Sequence, residues 1–186
     1  IAGISLPSFW LGMMLIYLFA LKLNWLPPSG RGQIGVFLGI RSSIFTIDGL
    51  RHIILPSITL SMGNIAILIR LINSNMQENM KKDYIKYARS KGVSRKNILY
   101  KHALKNALIP AVTIFGLQIG NIMAFATITE TIYAWPGMGK LLIDSILSAD
   151  KPVIVSYLMI VSFIFVVINV IVDMIYVFID PRIDLK

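Results

Sequence analysis

Four stretches of the chain run without charge for lengths that matter in a bilayer. A membrane-crossing helix needs about 20 mostly apolar residues. The alternation of apolar runs and polar breaks predicts spans over residues 3–21, 53–72, 107–129 and 153–179. Lys22 ends the first. The second is uncharged from Ile53 to Ile69, and Arg70 extends it by carrying its charge to the interface on a long apolar stem. The third has no charged residue from Ala107 to Thr129, and the fourth is broken only by Asp173. At about 1.5 Å per residue, 153–179 is longer than the hydrocarbon is thick, so it tilts or projects. Pro7, Pro56, Pro110 and Pro152 each stand near the beginning of a span. A proline in a first helical turn loses nothing, because that N–H has no partner, so these positions read as helix starts. Gly116 and Gly120 place two small residues one turn apart in the third span, a pattern that favours close helix packing.

The polar intervals are not alike. Arg70–Lys105 carries ten basic residues against Glu78 and Asp83, a surplus of +8 within a chain of formal charge +9. Excess Lys and Arg favour the cytoplasmic side. That places loop 73–106 in the cytoplasm and loops 22–52 and 130–152 outside. The first outer loop, with Lys22, Arg31, Arg41 and Arg51 against Asp48, holds a smaller surplus and yields. Trp25, Tyr133 and Trp135 then fall at the outer interface, where amphipathic rings are favoured.

The basic loop is patterned as well as charged. Residues from Asn79 to Lys91 predict a helix with Met80, Tyr84, Tyr87 and Ala88 on one face and Lys81, Lys82, Lys86 and Arg89 around the remainder. Gly92 suits the left-handed position that ends a helix. Ser94 is placed to cap a second helix from Arg95, which runs into the third span at Pro110. The expected unit is helix, glycine turn, helix. In the second outer loop, Trp135-Pro-Gly-Met-Gly139 reads as a turn. Leu141, Leu142, Ile146 and Leu147 then recur at the spacing of a short surface helix.

Composition narrows the function classes. The chain is 56% hydrophobic, with a mean hydropathy of +0.73, which excludes an ordinary soluble domain of 186 residues. There is no cysteine, so thiolate catalysis and cysteine-held metals are excluded. The high positive charge lies between spans with no RNP or zinc-finger pattern, which argues against nucleic acid as a partner. Walker A, H-E-x-x-H and G-x-S-x-G patterns are absent, so no catalytic residues and no metal site are assigned. His52 and His102 fall on opposite sides of the membrane in this topology.

Tyr87-Ala-Arg-Ser-Lys-Gly92, followed by His102-Ala-Leu-Lys-Asn-Ala-Leu-Ile-Pro110, resembles the EAA loop of ABC-importer permeases, most closely the dipeptide, oligopeptide, glutathione and nickel subfamily. The resemblance continues through Glu130-Thr-Ile-Tyr-Ala-Trp-Pro-Gly-Met-Gly-Lys-Leu142, Asn169-Val-Ile-Val-Asp173 and Asp180-Pro-Arg-Ile183. Pro7-Ser-Phe-Trp-Leu-Gly12 and Trp25-Leu-Pro-Pro-Ser-Gly30 fit too. Lys86 and Tyr87 stand where the general pattern has Glu and Ala, a departure that resembles the peptide subfamily.

The resemblance implies an all-α, multi-pass membrane bundle with the type I ABC-importer (MetI-like) permease fold, four of six spans lying in this chain. It implies that Tyr84–Gly92 is the coupling helix, with Tyr84, Tyr87, Ala88, Arg89, Gly92 and Ser94 coupling to an ATPase. The implied partners are a second homologous permease subunit, two cytoplasmic ABC ATPase subunits, an extracytoplasmic solute-binding protein and the lipid bilayer of a prokaryotic plasma membrane. ATP and Mg²⁺ belong to the ATPase, and this chain holds no cofactor. Trp135, Pro136, Gly137 and Gly139 become candidate contacts for the binding protein.

Polar residues within or at the ends of spans usually face the bundle. Asn64, Gln118 and Asn121 line a translocation path or bond between helices. Glu130 meets a peptide amine or caps the turn that follows it. Asp173 forms an ion pair or relays protons. Peptides are the expected cargo, with nickel, glutathione or oligosaccharide as alternatives. An ion-coupled secondary transporter would need more buried acids than Asp173, and an integral-membrane enzyme would need an active site.

Overall fold

The computed structural model describes residues 7–179; the side chains of Asn121, Ala124, Phe125, Asp173 and residues 176–179 lie outside that description, as does the segment from Asp180 to Ile183. The chain begins with α1 (Ser8–Leu15), which passes into a π-helical stretch, Ile16–Lys22. Strands β1 (Gly35–Phe37) and β2 (Ile40–Ser42) follow. Then come α2 (Ile47–Asn79), α3 (Asp83–Ser90) and α4 (Arg95–Asn97). A second π-helical stretch, Ile98–Ala103, joins α4 to α5 (Leu104–Ile132), and α6 (Met138–Leu147) and α7 (Lys151–Ile179) complete the order.

Three helical stretches among the described residues are long and apolar enough to cross a membrane: Ile47–Asn79, Arg95–Gly120 and Lys151–Val172. A shorter apolar helix covers Ser8–Lys22. Pro56 and Pro110 are interior to α2 and α5 rather than at their starts. Each removes one backbone donor, leaving the carbonyls of His52 and Asn106 without their usual partners four residues on. Membrane helices tolerate such interruptions better than soluble ones. Pro7 and Pro152 do sit at helix starts.

The described chain divides into two compact units: residues up to Asn64 together with Asn121–Ser162, and Ile65–Gly120 together with the rest of α7. In the first unit, β1 and β2 pair antiparallel with Val36 opposite Arg41. Their two-residue turn has Leu38 and Gly39 both at positive φ, as the twist of a tight hairpin requires. Asp48 holds the strand approach by accepting from the Gln33 N–H at 2.8 Å. In the second unit, Gly116 and Gly120 lie against α7. A Cβ on Gly116 would stand 2.8 Å from Val172, and one on Gly120 would stand 2.7 Å from the Phe165 ring. The small residues therefore permit the close helix approach that their spacing predicts.

Candidate functional site

The basic loop folds around a small core. Ile85 and Ala88 on α3 are buried against Ile98 and Ala103, with Met76, Met80 and Val93 packed beside them. Complete burial of an isoleucine such as Ile85 stabilises by roughly 1.5–3 kcal/mol. The helix is shorter than the sequence pattern predicts: α2 runs to Asn79, a turn covers 80–82, and α3 begins at Asp83. Lys81 N–H donates to the Glu78 carbonyl and Lys82 N–H to the Asn79 carbonyl in that turn.

The break changes the phase of the faces. Ala88 points inward with Ile85, three residues earlier, while Tyr87 is 61% exposed and Tyr84 37% exposed. The expected face of Met80, Tyr84, Tyr87 and Ala88 is thus divided between an aliphatic core and an outward aromatic surface. Ile85 is the informative residue, since its spacing to Ala88 defines the buried stripe.

Gly92 ends α3 as its sequence position predicts. Its φ is +75° and nothing crowds the site of a Cβ. Gly92 N–H donates to Arg89 O at 2.9 Å and Val93 N–H to Ala88 O at 3.2 Å. These are the paired bonds of a Schellman motif, and the packing of Val93 on the Ala88 cluster supplies its apolar contact. Ser94 then caps the next helix, its Oγ accepting from Asn97 N–H at 3.4 Å. The rim remains charged. Lys91 Nζ lies 4.7 Å from the Tyr87 ring centroid, Lys86 pairs with Asp83 at 2.8 Å, and Arg89 is exposed. The exposed ion pair adds little stability, and Lys91 and Arg89 make the surface around Tyr87 positive.

Tyr84 turns its hydroxyl the other way. It donates to Asn79 Oδ1 at 3.0 Å and accepts from Asn106 Nδ2 at 3.1 Å. The pairing of Asn79 with Asn106 through Tyr84 escapes a sequence reading, because the two lie far apart along the chain and only folding brings them together.

In the first unit, Glu130 acts as a cap. Its Oε2 accepts from Lys140 N–H at 2.7 Å, in the first turn of α6, where backbone donors lack helical partners. Of the two roles open for Glu130 in the sequence, this is the one its geometry displays. Trp135 N–H donates to the Glu130 carbonyl at 2.8 Å and Gly137 N–H to the Trp135 carbonyl at 2.9 Å, which draws the Trp135–Gly137 turn back onto α5. Pro136 is exposed within that turn, and Gly139 is buried in α6. A cavity of about 180 Å³ opens there, lined by residues that include Pro56, Leu60, Thr129, Glu130 and Trp135. Leu141, Ile146 and Leu147 remain exposed on α6.

Tyr133 ties three elements together. It is 1% exposed. Its hydroxyl lies 2.8 Å from Thr59 Oγ1 and 3.3 Å from the Gly12 carbonyl. Its own carbonyl accepts from Gly30 N–H at 2.8 Å, which anchors the end of the Trp25–Gly30 segment.

Asn64 donates to the Leu60 carbonyl of its own helix at 2.9 Å. Gln118 is buried, and the side chains of Asn121 and Asp173 lie outside the described residues. No group of three or more His, Cys, Asp or Glu among the described residues is arranged to hold a metal ion.

Comparison with known proteins is consistent across the chain. The family model described as "Binding-protein-dependent transport system inner membrane component" matches residues 1–185. The chain is similar to the di/tripeptide transport system permease protein DppB of Pseudomonas aeruginosa, with 40% identity over 98% of this chain and 58% of that protein. It is 43% identical to the dipeptide permease DppB of Alkalihalophilus pseudofirmus, over 98% of this chain and 59% of the relative. The oligopeptide permease AppB of Bacillus subtilis is 38% identical over 98% of this chain and 56% of its own length. The chain therefore spans somewhat under three-fifths of the length of the curated relatives it matches.

Proposed function

From the premise that the chain belongs to the family of binding-protein-dependent transport system inner membrane components, we propose that it is part of the translocation pathway of a peptide importer driven by ATP hydrolysis on a partner subunit. The observation that carries this reading is the built basic loop. A buried Ile85/Ala88 core and a Schellman turn at Gly92 hold Tyr87 outward within a ring of Lys and Arg. An aromatic anchor in a charged rim is the arrangement of an energetic centre in a protein interface, with the charges steering association. A loop serving only to orient the chain in the bilayer needs the charge and none of this order.

In this reading α3 seats in a groove of a cytoplasmic ABC ATPase. Tyr87 and Arg89 make the contact, Ala88 belongs to the core beneath it, and Gly92 with Ser94 sets the angle of the helix that leads into α5. ATP and Mg²⁺ bind to the ATPase. A second permease subunit completes the pathway, and a solute-binding protein delivers cargo to the surface formed by Trp135–Gly139. Asn64, Gln118 and Asn121 are the pathway candidates. Glu130 is assigned to the α6 cap instead of a substrate amine. Peptides are the assigned cargo because relatives matching 98% of this chain are named for dipeptide and oligopeptide transport.

The test uses the full-length protein with its transport partners. Tyr87→Asp should leave membrane insertion intact and abolish co-purification of the ATPase. Normal co-purification and normal peptide uptake by Tyr87→Asp would refute the assignment of α3 as the docking helix.

A further inference from the structure

The Tyr84 hydroxyl belongs to a closed ring of hydrogen bonds. Asn106 Nδ2 donates to Tyr84 Oη at 3.1 Å, and Tyr84 Oη donates to Asn79 Oδ1 at 3.0 Å. Asn79 Nδ2 donates to the Asn75 carbonyl at 2.9 Å, and Asn75 Nδ2 donates to the Ala107 carbonyl at 3.4 Å. Ala107 follows Asn106 on α5, so the circuit closes. Each group is used in keeping with its chemistry. The single phenolic proton goes one way, a lone pair receives the other bond, and each amide nitrogen donates. Asn79 is 6% exposed, so its amide would be costly to bury without these partners.

The ring joins three helices of one compact unit: the end of α2, the start of α3 and the first turn of α5. Around α3, the Ile85/Ala88 cluster grips an inward stripe and the ring grips Tyr84. A displacement of α3 therefore either breaks hydrogen bonds or carries the ends of α2 and α5 with it. Pro110 lies just beyond the grip and supplies no donor to the Asn106 carbonyl. The gripped turn of α5 is thereby freed of one bond to the helix that continues from it.

We propose that Asn75, Asn79, Tyr84 and Asn106 form a positioning ring that transmits movement of α3 to the α2 and α5 helices. The proposal rests on the docking role assigned to α3. It gives Tyr84 a task distinct from that of Tyr87: Tyr87 meets the partner, and Tyr84 fastens the docked helix to the spans. Breaking the ring should leave docking intact and loosen the ratio of peptide moved to ATP hydrolysed.

The experiment measures that ratio in proteoliposomes holding the complete transporter, for Tyr84→Phe, Asn106→Ala, the double variant and Tyr87→Asp. Tyr84→Phe keeps the ring packing and removes one hydroxyl. Asn106 is exposed, so Asn106→Ala reads the same bond without disturbing a core. Asn106→Ala should lower the ratio roughly two- to tenfold, the scale of one intramolecular hydrogen bond, and Tyr84→Phe, which removes two, at least as much, while the ATPase still co-purifies. The double variant should be no worse than Tyr84→Phe alone. Wild-type ratios in both single variants, or losses that multiply in the double variant, would overturn the ring, and with Tyr87→Asp still abolishing co-purification the docking role would stand. Undisturbed co-purification by Tyr87→Asp would remove the docking role and this proposal with it.

Discussion

Glu130→Ala should loosen α6 while leaving α5 and the basic loop unchanged. The perturbation removes the carboxylate that accepts from Lys140 N–H at 2.7 Å. Loss of a side-chain acceptor at a helix N-terminus costs about 0.5–2 kcal/mol. Loss of a negative charge beside the same terminus adds about 0.3–1 kcal/mol. A combined effect of about 0.8–3 kcal/mol corresponds to roughly 4- to 160-fold in an opening equilibrium. Amide hydrogen exchange resolved along Met138–Leu147 reads that equilibrium directly. Glu130→Gln keeps an oxygen acceptor and loses only the charge, so its exchange should rise by about two- to fivefold. Unchanged exchange in Glu130→Ala would refute the capping role. Equal acceleration in the two variants would show that the hydrogen bond contributes nothing and that charge alone acts.

Gly92→Ala places a Cβ on a residue at φ +75°, which costs roughly 1–2 kcal/mol in the left-handed region; proteolysis within 83–97 should quicken, and Gly92→Asn should be milder. Gly120→Val drives a branched side chain into a site where even a Cβ stands 2.7 Å from Phe165; thermal unfolding in detergent should fall well below wild type, while Gly63→Ala, with open space at its Cβ, should match it. Tyr133→Phe removes a buried hydroxyl shared with Thr59 and Gly12. It should cost about 1 kcal/mol, a fall of roughly 2–4 °C in Tm for a chain of this size, and an unchanged Tm would remove that tie from the account.

The sequence is most legible where one residue type answers one geometric need. Gly92 at positive φ, Ser94 as a cap, Gly116 and Gly120 beneath Val172 and Phe165, and α6 after the Trp135 turn all follow from local chemistry. It is least legible where tertiary contacts decide. Residues 80–82 contain no Gly or Pro, yet they form a turn that resets the phase of the loop helix, so Ile85 replaces Tyr84 and Tyr87 in the core. Pro56 and Pro110 occupy helix interiors, where a membrane helix tolerates the lost backbone donor. The β1–β2 hairpin carries little sequence signal because its strands are three residues each and its turn is Leu38-Gly39, lacking the usual Asn or Asp. The asparagine ring joins residues up to 32 apart in sequence, which no local pattern encodes.

The docking role of α3 is the central claim, and proximity to the ATPase tests it most directly. This chain contains no cysteine, so Tyr87→Cys introduces one thiol into it at the exposed centre of the basic surface. Ile85→Cys, at a position 0% exposed on the same helix, is the control. In the assembled full-length transporter, a short thiol-reactive cross-linker should join position 87, and not position 85, to the ATPase subunit. A transporting complex that shows no cross-link from position 87 would contradict the account.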